Sequence, residues 1–344
     1  MPILISVLKY LRSGGDGLKC PNCEADNSDS FVYCWRCGAI VMSSDKIDRQ
    51  KVEQIKGNIR KIAGMSKSTD QFIPPWWLAV YIVGWIVAIT IYFISIASAI
   101  RYPYEMPAPE DIIGGTIVLL IFVVVLSLFL AMIMYHLVKR QNEHYRREWD
   151  LRANILNLFK ALAGSPDREH LIYREIAPML AAHQKAETIR DPRFWAAILA
   201  LPPILLAIIV TLSIAISNSV YQLPSIIYIG VLIMLLIIVA VGCIILGLYS
   251  FYFLGKTLYE HDQRWASFSY GTRRTLVQFG IPLDWAYTPQ TIPEREFALY
   301  LLLVIIPFFA LYWLFTLIID PNSHFKAHAD FEKWLVDALD KLRF

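Results

Sequence analysis

The residues from Phe194 to Gly255 read FWAAILALPPILLAIIVTLSIAISNSVYQLPSIIYIGVLIMLLIIVAVGCIILGLYSFYFLG. No Asp, Glu, Lys or Arg occurs in this stretch. A helix that spans a membrane needs about 20 apolar residues, so the stretch is too long for a single span. Polar residues and a proline between Ser217 and Pro224 mark a turn. The stretch therefore predicts two spans joined as a hairpin.

Three further stretches, 71–100, 112–138 and 297–319, also lack charged residues. Each of them is long enough for one span. The chain of 344 residues is 56% apolar and 18% charged, whereas a soluble domain is about 45–50% apolar and about 25% charged. We therefore predict an all-α polytopic membrane protein with about five transmembrane helices, arranged as two related hairpins plus one.

The distribution of Lys and Arg predicts which ends of the spans face the cytoplasm. Segments 1–75 and 137–193 each carry 11 of these residues, and segment 256–296 carries five. The loop 101–111 carries one, and the loop 217–225 carries none. Because cytoplasmic loops are enriched in Lys and Arg, we expect a multi-pass protein of the cell membrane with its N-terminus in the cytoplasm.

An octapeptide recurs after each hairpin. Leu137–His144 (LVKRQNEH) and Leu254–His261 (LGKTLYEH) share Leu, Lys, Glu and His at an offset of 117 residues. Leu317–His324 (LIIDPNSH) keeps the Leu and the His. We interpret this pattern as a duplicated unit of hairpin plus cytoplasmic helix. Such repeats are common in transporters, although they also occur in structural membrane proteins.

The histidines of the recurring octapeptide, His144, His261 and His324, are candidate functional residues. One interpretation is that they cap helices or contact lipid phosphates, with the first two pairing with the glutamates that precede them. The alternative is that they are interfacial histidines inherited through duplication. His324 and His328 also lie four residues apart, as two metal ligands on one helix face would, but the sequence identifies no third ligand.

The last apolar stretch, 297–319, is open to two interpretations. A single fifth span places the tail from Asp320 outside the cell. The repeat favours an inside tail instead, which a half-hairpin bent at Pro307 would allow at the cost of irregular backbone in lipid. The tail has four basic and five acidic residues, so its charge does not decide. We predict a single fifth span.

Four of the five cysteines lie close together, in two CxxC pairs formed by Cys20, Cys23, Cys34 and Cys37. A two-residue spacer lets both thiolates of a turn bind one metal, and two such turns complete a tetrahedral shell. Zn²⁺ suits four thiolates best, with iron as the main competitor. About 25 residues cannot bury a sufficient core, so the metal would supply much of the folding free energy. We predict these cysteines as Zn²⁺ ligands.

This segment resembles the short zinc-ribbon family found at the ends of many prokaryotic proteins. The matching residues are Cys20, Pro21, Cys23, Asn27, Phe31, Cys34, Cys37 and Gly38. The family usually has Gly after the second cysteine, where this chain has Glu24. The resemblance implies a structural or partner-binding module. The apolar remainder resembles prokaryotic or archaeal multi-pass membrane proteins that carry a zinc ribbon, a resemblance that implies no activity.

Changes in composition along the chain divide it into five predicted segments. They are an amphipathic start with the zinc ribbon (1–42), a charged helical connector (43–75), a first hairpin with cytoplasmic helices (76–193), a second hairpin with a cytoplasmic segment (194–296), and a fifth span with an amphipathic tail (297–344).

The expected function is binding. The apolar stretches contain no ionisable residue except His136 at one end, which disfavours ion-coupled transport. No catalytic motif is present, and a net charge of +3 does not predict a nucleic-acid partner. We therefore expect a non-enzymatic protein in the lipid bilayer that presents a structural zinc ribbon and cytoplasmic helices to a protein partner. The alternative is a repeat-based transporter or channel for a small solute.

Overall fold

The computed structural model describes residues 18–20, 22–27, 34, 36–37, 48–99, 109–163, 166–217, 223–278, 290–303 and 306–341. Two short strands, β1 (Leu18–Lys19) and β2 (Asp26–Asn27), precede a series of helices. The helices are α1 (Arg49–Gly64), α2 (Ser66–Thr69), α3 (Trp76–Ala99), α4 (Pro109–Leu162), α5 (Pro166–Ala186), α6 (Pro192–Ser217), α7 (Leu223–Gln278), α8 (Phe297–Leu303) and α9 (Pro307–Lys341).

Within the described residues, four helices are long and apolar enough to cross a membrane. The candidate spans are Trp76–Ser95 in α3, Thr116–Leu162 in α4, Pro192–Thr211 in α6 and Gly230–Leu276 in α7. Few side chains of their most apolar windows are buried within the chain. A large exposed apolar surface of this kind indicates contact with lipid.

The prediction of a fifth span is wrong, because the described part of the chain has four candidate spans and not five. Helix α8 ends at Leu303 and α9 begins at Pro307. Helix α8 extends about 10 Å, which is too short for a hydrocarbon core of about 30 Å. In one continuous helix Tyr300 and Trp313 would lie about 20 Å apart, yet their ring centroids are 5.6 Å apart. The stretch therefore folds back as a half-hairpin, and Pro307 can begin the second helix because its missing N–H is not needed there.

Helices α4 and α7 continue far beyond their apolar stretches. They contain 54 and 56 residues, so each is about 80 Å long. Their charged halves pack with α1, α5 and α9 around a hydrophobic core, which includes Ile59, Ile155, Trp265, Phe268 and Phe331. We call this assembly the helical domain.

A second hydrophobic cluster lies where the spans meet the helical domain. Met134, Trp195, Phe253 and Trp313 contribute to it from α4, α6, α7 and α9. Trp313 is fully buried. The half-hairpin packs with α4 and α7, and this contact holds the tail at the same end of the bundle as the charged halves of those two helices.

Candidate metal centres

The first cysteine pair is carried by a two-stranded antiparallel hairpin. Leu18 of β1 lies opposite Asn27 of β2. The backbone N–H of Cys20 donates to the carbonyl of Ala25 at 3.0 Å, and that of Glu24 donates to the carbonyl of Cys20 at 2.9 Å. These bonds close the turn and bring the first pair of thiols to one side of it.

All four predicted cysteine ligands meet at one point. The Sγ atoms of Cys20 and Cys37 are 3.5 Å apart, as are those of Cys23 and Cys34, and all four sulfurs lie within 4.8 Å of one another. In a tetrahedral site with Zn–S bonds of about 2.3 Å the sulfurs would be about 3.8 Å apart. The backbone N–H groups of Asn22 and Arg36 donate to sulfurs within the two pairs, at 3.4 and 3.3 Å. The cluster is thus compatible with a metal-binding ribbon.

The structure also brings the three candidate histidines together, and a fourth joins them. His144 of α4, His261 of α7 and two histidines of α9, His324 and His328, each place a ring nitrogen within 4.8 Å of the others. All four are at most 2% exposed. The Nε2 atoms of His144 and His261 are 3.3 Å apart. We call these residues the histidine cluster.

Each ring of the histidine cluster forms a hydrogen bond with a different buried carboxylate, on the side away from the centre of the cluster. The Nδ1–carboxylate distances are 3.1 Å for His144–Asp70, 2.6 Å for His261–Glu187, 2.8 Å for His324–Asp262 and 3.1 Å for His328–Glu148. A carboxylate only accepts hydrogen bonds, so each Nδ1 carries a proton and donates it to the oxygen. All four rings are thereby oriented with Nε2 toward the centre of the cluster.

Two of the four carboxylates precede the hairpins at matching positions. Asp70 follows α2 just before α3, and Glu187 follows α5 just before α6. Each lies 74 residues before the histidine it contacts. Asp70 and Glu187 are therefore separated by the same 117 residues as His144 and His261.

The expected pairing of the first two histidines with the preceding glutamates is not observed. Glu143 lies 3.8 Å from Lys139, and Glu260 lies 3.9 Å from Lys256. Both are pairs of neighbouring turns on the helix surface. The glutamate and histidine that follow each other in sequence point in different directions, because adjacent residues of a helix are about 100° apart.

Two buried guanidinium groups lie among the carboxylates. Arg147 donates to Oδ2 of Asp70 at 2.6 Å and also to Glu332. Arg152 lies 3.4 Å from Oε2 of Glu148 and 3.6 Å from Oε1 of Glu187. Buried charges are tolerated when they are paired in this way. The cluster is thus part of a connected polar network in the interior of the helical domain.

Two asparagines fasten the loops that carry these carboxylates. The side-chain amide of Asn322 accepts from the N–H of Ile73 at 3.3 Å and donates to its carbonyl at 2.9 Å. Asn142 bonds Arg190 in the same two-way fashion, at 3.1 and 2.6 Å. Ile73 and Arg190 are again separated by the offset that relates His144 to His261. Each asparagine lies two residues before a histidine of the cluster, so the loop and the histidine are positioned together.

Arg140 attaches α9 to α4 just below the histidine cluster. Pro321 has no N–H, so the carbonyl of Leu317, four residues earlier, lacks its helical donor. Arg140 donates to this carbonyl at 2.9 Å, and also to the side-chain oxygen of Asn322 at 2.7 Å. The buried guanidinium therefore satisfies the carbonyl that the proline leaves open.

The imidazoles of α9 are neutral in this environment. Burial lowers the pKa of His324, and burial together with the charge of a protonated His324 lowers the pKa of His328 to about 3. A neutral imidazole has one donor and one acceptor nitrogen. With Nδ1 as the donor, Nε2 offers a free lone pair, which is the form that binds metals.

Sequence reasoning finds three of the four histidines but not their assembly. It singles out His328 only for its spacing from His324, and the other two histidines lie far upstream on different helices. One signal relates part of the set. Asp70 and Glu187 repeat at the same offset as His144 and His261, and that coincidence marks these four residues as a group.

The chain matches no protein-family model, no curated protein and no solved structure. The likeness to zinc ribbons therefore rests on the spacing of the four cysteines and on the convergence of their sulfurs. The histidine cluster likewise has to be interpreted from its own geometry.

Proposed function

We propose that this chain is a multi-pass protein of the cell membrane that acts by binding and not by catalysis. Its four spans anchor the helical domain, and the N-terminal ribbon holds Zn²⁺ and binds a protein partner in the cytoplasm. The observation that carries this proposal is the convergence of four cysteine sulfurs. Four thiolates fill a tetrahedral zinc shell, so no position is left for a reacting water. A closed metal site of this kind stabilises the fold of the ribbon, and the surface of the folded ribbon then binds the partner.

The cytoplasmic orientation is supported by the basic residues. Segments 1–75 and 137–193, which contribute the ribbon, α1 and the charged half of α4, carry 11 Lys and Arg each. The positive-inside rule places such segments in the cytoplasm. That compartment is reducing, and there cysteine pairs at this spacing bind metal and do not form disulfides.

The hydroxyl groups of the spans favour an anchor over a transport path. Thr90, Ser127, Thr211 and Ser250 each donate to a carbonyl three or four residues earlier in their own helix. Hydroxyls satisfied in this way offer no chain of polar groups across the bilayer. A transporter remains the alternative function, because the pairs at the repeat offset support duplicated hairpins and transporter folds often contain repeats. Solute flux in proteoliposomes that is absent from empty vesicles would favour it.

The ribbon's role can be tested by co-purification from native membranes. We expect the double variant Cys20→Ser/Cys23→Ser to lose the partner, because two serines cannot complete the thiolate shell and the ribbon unfolds. Cys243→Ser is the matched control, since Cys243 is buried within α7 and outside the ribbon. Recovery of the same partner in the same amount by the double variant would exclude a binding role for the ribbon.

A further inference from the structure

We propose that the histidine cluster is a second metal site, in which the Nε2 atoms of His144, His261, His324 and His328 bind one divalent transition-metal ion. The best match is Zn²⁺. The proposed ion would join α4, α7 and α9 inside the helical domain. This site uses none of the cysteines, so it is independent of the role proposed for the ribbon.

The distances fit a tetrahedral ion. With Zn–N bonds of about 2.05 Å, two ligand nitrogens of a tetrahedral site are about 3.3 Å apart. The Nε2 atoms of His144 and His261 are separated by 3.3 Å. The ring centroids of all six histidine pairs lie between 4.1 and 6.0 Å apart. Four rings thus surround one point at the spacing of a coordination shell.

The arrangement of protons calls for a cation at that point. Each Nδ1 donates to a carboxylate, so in the neutral form of each ring Nε2 presents a lone pair to the centre. The Nε2 atoms of His144 and His261 face each other at 3.3 Å, and when both rings are in this form neither nitrogen has a proton to donate to the other. The Nε2 atoms of His324 and His328 are buried and have no hydrogen-bond partner in the described part of the chain. Buried acceptors left in this state are costly, and a metal ion would satisfy all four.

The groups behind the rings match those that support metal-binding histidines elsewhere. A histidine that binds a metal usually donates its other N–H to a carboxylate or carbonyl, which fixes the ring and makes the ligand nitrogen more basic. Here all four histidines have carboxylate partners, at 2.6–3.1 Å. The guanidinium groups of Arg147, Arg152 and Arg264 pair with these four carboxylates. The four carboxylates therefore keep one negative charge in excess, which favours a cation at the centre of the cluster.

The ligand set restricts the class of metal. Neutral imidazole suits zinc, copper, nickel and iron, whereas calcium and magnesium prefer oxygen. Four ligands around one point favour a tetrahedral ion, and Cu²⁺ prefers a tetragonal arrangement. Zn²⁺ has no such electronic preference and is usually four-coordinate in structural sites. A site filled by four histidines has no free position, so its expected effect is to hold the three helices together.

The site can be tested in the full-length chain after the cysteine ligands are removed. Cys20→Ser/Cys23→Ser protein, purified in detergent and loaded with Zn²⁺, should retain one zinc per chain by elemental analysis. X-ray absorption at the zinc edge should show nitrogen ligands at about 2.0 Å and no sulfur. Protein without bound zinc, or zinc with a shell of oxygen or sulfur, would overturn the proposal. Neither the elemental analysis nor the X-ray absorption measurement depends on a histidine variant that has to fold.

Variants then connect the metal to the cluster. In the same Cys20→Ser/Cys23→Ser background, Asp70→Asn should weaken Zn²⁺ binding by roughly 10- to 100-fold in a chelator competition, because the ring of His144 loses its carboxylate. His328→Gln should weaken it further. His170→Gln, an exposed histidine of α5, is the matched control and should leave the affinity unchanged. Equal affinities in all these proteins would place the metal outside the cluster.

Discussion

Glu24 has a left-handed backbone conformation, with φ of 58°. It occupies the position where zinc ribbons usually have glycine. A residue with a Cβ pays about 1–2 kcal/mol for this conformation, while glycine raises the entropy of the unfolded chain by about 0.4–1 kcal/mol. We expect Glu24→Gly to stabilise the ribbon by about 1 kcal/mol. A chelator competition that follows the thiolate absorption of Co²⁺ bound to the cysteines would measure this gain.

Glu24→Ala distinguishes the effect of the backbone conformation on stability from the effect of the carboxylate charge. Alanine removes the carboxylate but keeps the Cβ, so its affinity for Co²⁺ should stay near that of the natural chain. If alanine and glycine strengthen binding equally, the gain comes from the lost charge and the argument from φ fails.

Glu332 illustrates how a shared partner changes a pKa. Arg147 is in contact with Glu332, Asp70 and Glu148, so three carboxylates compete for one guanidinium. Burial raises the pKa of Glu332, and with the charge of Glu148 it outweighs the opposing effect of Arg147, giving a pKa of about 8. Glu332 is therefore the carboxylate of this group that keeps its proton at neutral pH.

The stability of the metal-free protein should depend on this proton. Between pH 4.5 and pH 8 the folded chain holds a proton on Glu332 that the unfolded chain releases. The free energy of unfolding therefore falls as the pH rises through this window. The glutamine of Glu332→Gln cannot titrate. The melting temperature of this variant, relative to that of the natural chain, should therefore increase from pH 5 to pH 8.5. The exposed Asp337→Asn on the same helix should show no such gain, and parallel curves for all three proteins would contradict the shift.

At the scale of elements, the contact between Arg140 and the turn of α9 above Pro321 attaches the tail to α4. Arg140→Met should destabilise the protein by about 1–3 kcal/mol, because a buried carbonyl loses its donor. Pro321→Ala restores an N–H that can bond the carbonyl of Leu317. We therefore expect the cost of Arg140→Met to be smaller in the Pro321→Ala background, as measured by denaturation in detergent.

A comparison on the same helix controls for the loss of a basic side chain. Lys139 is partly exposed and forms its pair at the surface. Lys139→Met should cost less than about 1 kcal/mol. A loss for Arg140→Met that is the same with and without Pro321 would show that its other partners, such as Asn322, carry the effect.

The helices that the sequence predicts well are those whose signal is local. Charge-free stretches of the length that a membrane requires identify the four candidate spans. The half-hairpin at 297–319 has the same composition, but its break depends on the packing of Tyr300 against Trp313 and on what the tail contacts. Neither is visible in the hydropathy of the stretch. The octapeptide that recurs at 317–324 predicts a tail at the same end as the charged halves of α4 and α7, and α9 lies at that end. For this stretch the recurring pattern therefore predicts the structure better than the composition does.

At the scale of the whole molecule, the four candidate spans found among the described residues predict that Leu18 and Lys341 lie on the same side of the membrane. An epitope tag at the N-terminus and one after Phe344 should therefore be accessible to antibody from the same side in sealed vesicles. A tag inserted after Glu105, between α3 and α4, should be accessible from the opposite side. Tags at the two ends that are accessible from opposite sides would restore the fifth span.

The candidate sites differ in how much of them the sequence reveals. The four cysteines lie close together in the chain, and their spacing alone predicts that they converge. The histidines of the cluster and their carboxylate partners run from Asp70 to His328, so their convergence requires the packing of three long helices. The offset of 117 residues, which is visible in the sequence, relates His144 to His261 and Asp70 to Glu187. These are half of the histidines and half of their carboxylate partners. The two histidines of α9 cannot be placed as long as the tail is assigned to the other side of the membrane.

Helices α4 and α7 run without interruption from lipid into the helical domain, where His144 and His261 are fixed. Membrane helices usually adjust to bilayer thickness by tilting. His144 lies about 28 Å from the middle of the apolar stretch of α4, so a tilt of about 10° would displace it by about 5 Å. Hydrogen bonds and metal bonds tolerate only a fraction of that movement. We expect the surrounding lipid to deform instead, so that this protein would partition into membranes whose thickness matches its own fixed geometry.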